Sequence, residues 1–320
     1  MRKIILDCDP GHDDALAILL AAKHLDVLGI TTVAGNQTID KVTANARKVL
    51  EFAGLTHIPV AKGANHPLVK PALHAGNIHG ESGLDGPVLP EPTIPLDPRH
   101  AVDFIIDTVM DNDEVTLVPT GPLTNIAMAL HREPRLRERV AEISLMGGGL
   151  NSGNVTAAAE FNIYVDPEAA HVVFTSGIPL KMAGLNLTRQ ANATQAEIER
   201  CRALGNRTGQ IVAELLTFFA GTIKEVFGVN GGSLHDPCAV AALIEPEMIE
   251  FMPLHVAVEL HGTHTYGMTV CDVRHLRGIG EEFVHVGKQS GETPNAQVGM
   301  RINSKRFFDL LIDETLALYP

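Results

Sequence analysis

Short apolar runs alternate with amphipathic stretches through the first half of the chain. Ile4, Ile5 and Leu6 read as a buried strand, and residues 15–22, apolar throughout, read as a buried helix. Strand-like runs follow at 25–33, 58–61, 115–119, 143–146 and 179–183. The patterning predicts helices at 41–52, 123–130 and 167–174, with Thr120 as N-cap of the second of these. Strand, turn, helix and strand in repetition imply an α/β fold with a mostly parallel central sheet flanked by helices on both faces.

Two stretches break the rhythm. Residues 65–99 are rich in Pro, Gly and His and long for a plain connection, which predicts a functional loop or lid. Residues 194–226 read as two helices, a Gly-rich segment follows at 228–233, and 239–244 reads as a short apolar helix. Beyond Phe251, alternating runs at 254–260 and 267–273 predict strands, and 310–318 predicts a closing helix. No repeat, low-complexity segment or shift in composition marks a boundary, so residues 1–320 are expected to form a single domain.

The polar residues matter most at the corners of this pattern. Straight after the first run, Asp7-Cys8-Asp9-Pro10-Gly11-His12-Asp13-Asp14 places four carboxylates in eight positions. Pro10 and Gly11 give a sharp turn, so Asp9 leaves the strand while Asp13 and Asp14 open the helix, on the side of a sheet where α/β proteins bind ligands. Ionised carboxylates packed this closely repel one another unless a cation is present or some hold protons. First-turn acids often merely complement the helix dipole. That leaves Asp7 and Asp9 unexplained, because unpaired carboxylates at the end of a buried strand are costly.

The cluster asks for a hard cation. There is no Cys/His group for zinc. Mg²⁺ usually shares its site with substrate phosphates, and Gly147-Gly148-Gly149 lacks the Lys and Ser/Thr of a phosphate loop. Ca²⁺ accepts about six to eight oxygens, backbone carbonyls included.

Two further groups stand at similar corners. His235-Asp236-Pro237 lies between the Gly-rich segment and an apolar helix, where Asp236 supplies another carboxylate and His235 a proton donor, or where the pair simply starts a helix. Asn154, Glu160, Phe161 and Asn162 follow the triple glycine and suit recognition of several hydroxyls, ordinary loop polarity being the alternative. Asn36, after Gly35, falls on the same rim.

Composition narrows the partners. Apolar residues make up 45% of the 320 and charged ones 20%, an ordinary globular balance. Lys+Arg 25 against Asp+Glu 38 gives a net charge of -13, which argues against a nucleic-acid backbone or an anionic membrane as partner. Cys8, Cys201, Cys238 and Cys271 are scattered without CxxC spacing, as in a cytosolic protein with reduced thiols. The run after Met1-Arg2-Lys3 is too short for a signal-peptide core, and no apolar run is long enough to span a bilayer. A soluble, cytoplasmic protein is expected.

The chain resembles the nucleoside hydrolases of the inosine-uridine-preferring family. The resemblance rests on residues 7–15 (Asp7-Cys8-Asp9-Pro10-Gly11-His12-Asp13-Asp14-Ala15), on Val33-Ala34-Gly35-Asn36 and on Ile78-His79-Gly80-Glu81-Ser82-Gly83-Leu84. It continues through Thr120-Gly121-Pro122-Leu123-Thr124-Asn125, Ala159-Glu160-Phe161-Asn162-Ile163 and His235-Asp236-Pro237-Cys238, in the family's order up to about residue 240. It implies a Rossmann-like core and Ca²⁺-dependent hydrolysis of ribonucleosides to ribose and free base, by a homodimer or homotetramer. It further implies an ion held by Asp9, Asp14, Asp236 and the backbone carbonyl of Thr120, with Asp9 also the general base. Asp13, Asn154, Glu160 and Asn162 would grip the ribose, with Asn36 beside the attacking water. His235 would serve the leaving base as its acid, and His79 would sit near the base.

The base pocket departs from pyrimidine-preferring relatives, whose tyrosine and glutamine align with Phe227 and Ile223 here. The chain has no Trp, which excludes the purine-stacking mode of another branch. Pyrimidine nucleosides or a broad range are the expected substrates. Cleavage of an N-ribosidic bond builds positive charge on the sugar and negative charge on the base, so a carboxylate-held cation with activated water and a histidine donor suit the chemistry. Two alternatives are a metal-dependent phosphohydrolase with Asp7 as nucleophile, against which Pro10-Gly11 speaks, and a non-catalytic nucleoside or ribose binder.

Overall fold

The computed structural model describes residues 1–150, 152–274, 276–279, 282–285 and 292–320. The apolar runs become strands β1 (Lys3–Cys8), β2 (Asp26–Thr32), β3 (Val60–Lys62), β4 (Val115–Pro119), β5 (Val140–Met146) and β6 (Leu180–Ala183). Two later strands, β7 (Ile249–Leu254) and β8 (Ala296–Ile302), complete one eight-stranded sheet in the order β3-β2-β1-β4-β5-β6-β8-β7. Every neighbouring pair is parallel except β8 with β7.

Both faces of the sheet are covered, as near-continuous apolar strands require. Along β1, Ile4, Leu6 and Cys8 enter one core and Ile5 the other. The first core packs the helices His12–His24, Ile39–Phe52, Arg207–Phe227 and Asp236–Ile244, through residues such as Leu16, Leu20, Val49, Leu215 and Val240. The second packs Ala101–Asp111, Thr124–Arg132 and Pro167–Phe174, through Phe104, Ile105, Leu130 and Val173. The helix at 12–24 lies between sheet and neighbouring helices, which is why residues 15–21 are buried on every side.

β1 pairs with β2 on one edge and β4 on the other, so the chain reverses direction across the sheet beside β1. The crevice at the carboxyl ends of β1 and β4 is where such sheets bind ligands. The acid-rich corner lies there.

Three expectations about elements need correction. Thr120 does not cap the helix Thr124–Arg132, whose preceding residue is Leu123; its hydroxyl instead donates to Asp14 Oδ1 at 2.8 Å. The run 254–260 divides at His255. Val256–Val258 leaves the main sheet and pairs with Thr269–Cys271, because the Asn295 side chain accepts from Val256 N at 2.8 Å and donates to Val256 O at 2.9 Å, in place of a strand neighbour. The closing helix is not continuous: Ser304–Phe308 is α-helical, Asp309–Asp313 is a π turn and Leu316–Leu318 is 3₁₀, with Thr315 Oγ1 donating to Leu310 O at 2.8 Å across the break. The two helices expected at 194–226 are Gln195–Ala203 and Arg207–Phe227, the second ended by Gly228 at φ 71°. No helix among the described residues is long and apolar enough to cross a membrane.

Candidate active site

β1 delivers Asp7 and Cys8 to the crevice, and the turn Asp9-Pro10-Gly11 leads into the helix that begins at His12. Asp14 sits in the first helical turn, where its Oδ2 accepts from Gly11 N at 3.0 Å, the reach-back bond of a capping box. Its Oδ1 accepts from Thr120 at the end of β4, so this one carboxylate ties β1's corner to the neighbouring strand.

Asp9 is fully buried. Asn36 N donates to its Oδ2 at 2.6 Å, and the Asn36 side-chain amide donates to Asp9 O at 3.1 Å and to Asp14 Oδ2 at 3.3 Å. Asp9 Oδ1 has no hydrogen-bond partner among the described residues. Glycines make room for this carboxylate: a Cβ on Gly121 would lie 2.6 Å from Oδ1, and one on Gly35 would overlap Oδ2. Asp236 opens the helix Asp236–Ile244, and oxygens of Asp13, Asp14 and Asp236 all lie within 4.8 Å of one another. Sequence reasoning set Asp13 apart for the ribose; the fold brings it into the acid cluster as well.

No Lys or Arg forms an ion pair with these acids among the described residues. Burial, then Asp14 and Asp13, pushes Asp9 well above the usual carboxylate range. Burial raises Asp14 to about 7, and burial with Asp13, Asp14 and Asp9 nearby raises Asp236 well up. Four buried oxygen-donor side chains, one with an orphaned oxygen, fit a hard divalent cation, since no Lys or Arg among the described residues pairs with them. The fifth carboxylate, Asp7, is differently placed. Thr31 Oγ1 and Asn125 Nδ2 donate to its Oδ1 at 2.6 and 2.8 Å, its Oδ2 has no partner among the described residues, and burial raises it to about 7. Bound and sealed in this way, it is a poor nucleophile for phosphoryl transfer.

The hydroxyl-recognising group assembles beside the acids. Glu160 caps the short helix Phe161–Val165, accepting from Asn162 N at 3.0 Å, Ile163 N at 3.2 Å and Gly148 N at 2.9 Å. Gly148 sits at φ 72°, the left-handed turn that the triple glycine supplies. Asn162 Nδ2 donates to Thr120 O at 2.7 Å and Met146 O at 3.2 Å, joining the ends of β4 and β5. The Thr120 carbonyl keeps a second lone pair. Asn154, more exposed, accepts from Phe161 N at 2.9 Å.

The histidines approach from two sides. His235 N donates to Asp13 Oδ2 at 3.1 Å, and His235 Nδ1 lies 2.7 Å from Thr188 Oγ1. His79 ends the single helical turn Gly76–His79 inside the expected loop, and its Nδ1 lies 3.0 Å from His12 Nδ1. Burial, then His12, holds His79 down to about 3, so it is neutral. His12 stacks on His79, Phe218 and Phe219 at centroid distances of 5.3 to 5.4 Å. Ile223 is half-buried, and Phe227 is 52% exposed at the end of its helix without a ring contact among the described residues. Phe218 and Phe219, one to two turns earlier, instead stack on His12, which directly precedes Asp13. Sequence reasoning missed His12, Phe218, Phe219 and Thr188; His12 alone carried a signal, lying inside the acid-rich motif.

Comparison with known proteins extends this picture. The family model described as inosine-uridine preferring nucleoside hydrolase matches residues 4–309. The chain is 48% identical over 314 residues to a pyrimidine-specific ribonucleoside hydrolase, RihA, of Escherichia coli, covering 97% of each. Its fold is similar to a purine-preferring ribonucleoside hydrolase from Gardnerella vaginalis, with TM-score 0.89, 32% identity and 99% of each chain covered. It is also similar to a plant nucleoside hydrolase, with TM-score 0.88, 32% identity and 99% of each chain covered.

Proposed function

The chain belongs to the inosine-uridine preferring nucleoside hydrolase family, enzymes that cleave the N-glycosidic bond of ribonucleosides, and from that premise we propose Ca²⁺-dependent hydrolysis with a preference for pyrimidine ribonucleosides. The observation that carries the metal is the buried group Asp13, Asp14 and Asp236, without a Lys or Arg ion pair among the described residues, beside the orphaned Oδ1 of Asp9. Asp9, Asp14, Asp236 and the carbonyl of Thr120 would hold the ion. Such an ion would supply Lewis acidity that makes a water easier to deprotonate, and positive charge beside the ribose hydroxyls.

Asp9 is the general base: Asn36 fixes one of its oxygens, and the open Oδ1 takes the proton of the attacking water. Asn36, held against Asp9 and Asp14, orients that water. Asp13, Asn154, Glu160 and Asn162 bind the ribose hydroxyls, and the ionised carboxylates among them favour the positive sugar of the transition state. His79, neutral and stacked, lines the base, and His235 offsets the charge that grows on the departing base.

The pyrimidine preference rests on the 48% identity to an enzyme of that specificity, against 32% for a purine-preferring one. Phe227 and Ile223, at the positions of the tyrosine and the glutamine in pyrimidine-preferring relatives, offer the base only apolar contact. A reducing-sugar assay over uridine, cytidine, inosine and adenosine, after chelation and on re-addition of Ca²⁺ or Mg²⁺, tests the reading. The expected result is loss of activity with chelator, recovery with Ca²⁺, and kcat/KM at least about tenfold higher for uridine and cytidine. Full activity after exhaustive chelation overturns the metal role, and equal or higher kcat/KM for purines overturns the preference.

A further inference from the structure

We propose that Thr188 is a positioning residue that fixes His235 as a hydrogen-bond donor to the departing nucleobase, an inference that rests on the reading of His235 given above. Thr188 closes the single helical turn Leu185–Thr188, which starts directly after β6 at the carboxyl edge of the sheet. The chain then runs into a two-residue antiparallel ladder, Asn192 opposite Ser233 and Ala193 opposite Gly232, extended by Leu234 N donating to Ala191 O at 2.9 Å. This ladder brings together two residues 47 positions apart and sets Thr188 Oγ1 2.7 Å from His235 Nδ1.

The direction of that bond follows from which polar atoms are satisfied. Thr188 is fully buried, and His235 Nδ1 is the partner of its hydroxyl among the described residues. A buried O–H without an acceptor costs more than an empty lone pair, so the hydroxyl donates and Nδ1 accepts. A neutral imidazole that accepts at Nδ1 carries its hydrogen on Nε2. The His235 backbone is fixed on Asp13, while the residue stays partly open, leaving Nε2–H as the ring's remaining polar atom.

During hydrolysis the water oxygen bonds to the anomeric carbon, its proton passes to Asp9, and the electron pair of the glycosidic bond leaves with the base. Nε2–H donates a hydrogen bond to that base, and no proton changes owner at His235. The released base takes its proton from solvent.

The test compares uridine with p-nitrophenyl β-D-riboside, whose leaving group is stable as an anion, on the Ca²⁺-loaded enzyme. Thr188→Val is expected to lower kcat on uridine roughly 10- to 100-fold with KM nearly unchanged, and to slow the nitrophenyl riboside far less. Thr188→Ser, which keeps the hydroxyl, is expected to recover most of the uridine rate. Side-chain ¹⁵N spectra of the wild-type protein are expected to show His235 protonated at Nε2 and bare at Nδ1; the opposite tautomer overturns the proposal whatever the variants do. Equal slowing of both substrates by Thr188→Val, or failure of the Ser variant to recover activity, also overturns it. His235→Ala separates the two layers: selective loss on uridine there without selectivity in Thr188→Val defeats only the role of Thr188. Equal loss on both substrates in His235→Ala defeats the reading of His235 itself.

Discussion

Asp9 gives its two oxygens different surroundings, one held by the Asn36 N–H and the other without a hydrogen-bond partner among the described residues. Asp9→Asn keeps the shape and removes the base, so it is expected to cut kcat by about 10²- to 10⁴-fold in a reducing-sugar assay. Glu160 makes a prediction about stability. Burial raises its carboxyl from 4.5 to about 7 despite the N–H groups of Asn162, Gly148 and Ile163 that oppose the shift. The native state therefore keeps the proton longer than the unfolded chain, and this stabilisation is complete below pH 4.5 and lost as pH rises through about 7. Thermal melts of the wild type against Glu160→Gln are expected to show the wild type losing ground between those pH values, by an amount on the order of 3 kcal/mol. A constant difference across the range refutes it. The acids were legible in the sequence because carboxylates beside a buried strand demand an explanation on local grounds. Thr188 was not, since a single hydroxyl in a short helix says nothing of a histidine 47 positions away.

Glycines decide how closely the turns after β2 and β4 approach Asp9. Gly121→Ala would set a methyl 2.6 Å from Asp9 Oδ1, and it is expected to weaken Ca²⁺ binding in calorimetry and lower kcat together. The long loop between β3 and the helix Ala101–Asp111 is tied down at several points. Leu68 N donates to Asp166 Oδ2 at 2.9 Å, Lys70 Nζ stands 3.4 Å over the Tyr164 ring, and Gln37 Nε2 donates to Gly80 O at 3.0 Å. Gln37→Ala frees the turn that follows His79, so KM for uridine is expected to rise several-fold with kcat little changed; an unaltered KM counts against it. The sheet strands and their covering helices could be read from apolar runs because burial on both faces leaves a continuous signal. The edges could not: the division at His255 depends on Asn295, some forty residues further on, replacing a strand neighbour.

Across the whole molecule, the carboxyl ends of β1 and β4 and the start of the helix at 236 converge on one pocket of acids. An ion that binds only this folded arrangement stabilises it by about 2.7 kcal/mol at a hundredfold excess over Kd. Melting temperature is therefore expected to rise by a few degrees with Ca²⁺ and fall with chelator, and a Ca²⁺-independent melt would contradict the site. The charge of that pocket has a consequence for inhibitors. Asp9, Asp13, Asp14 and Asp236 carry more negative charge, when ionised, than one divalent ion neutralises, and no arginine or lysine among the described residues forms an ion pair with them. The loaded pocket thus keeps a negative potential at the sugar ring. A pentose analogue whose ring oxygen is replaced by a protonated amine should outcompete ribose there, and its advantage should shrink at alkaline pH as the amine loses its charge.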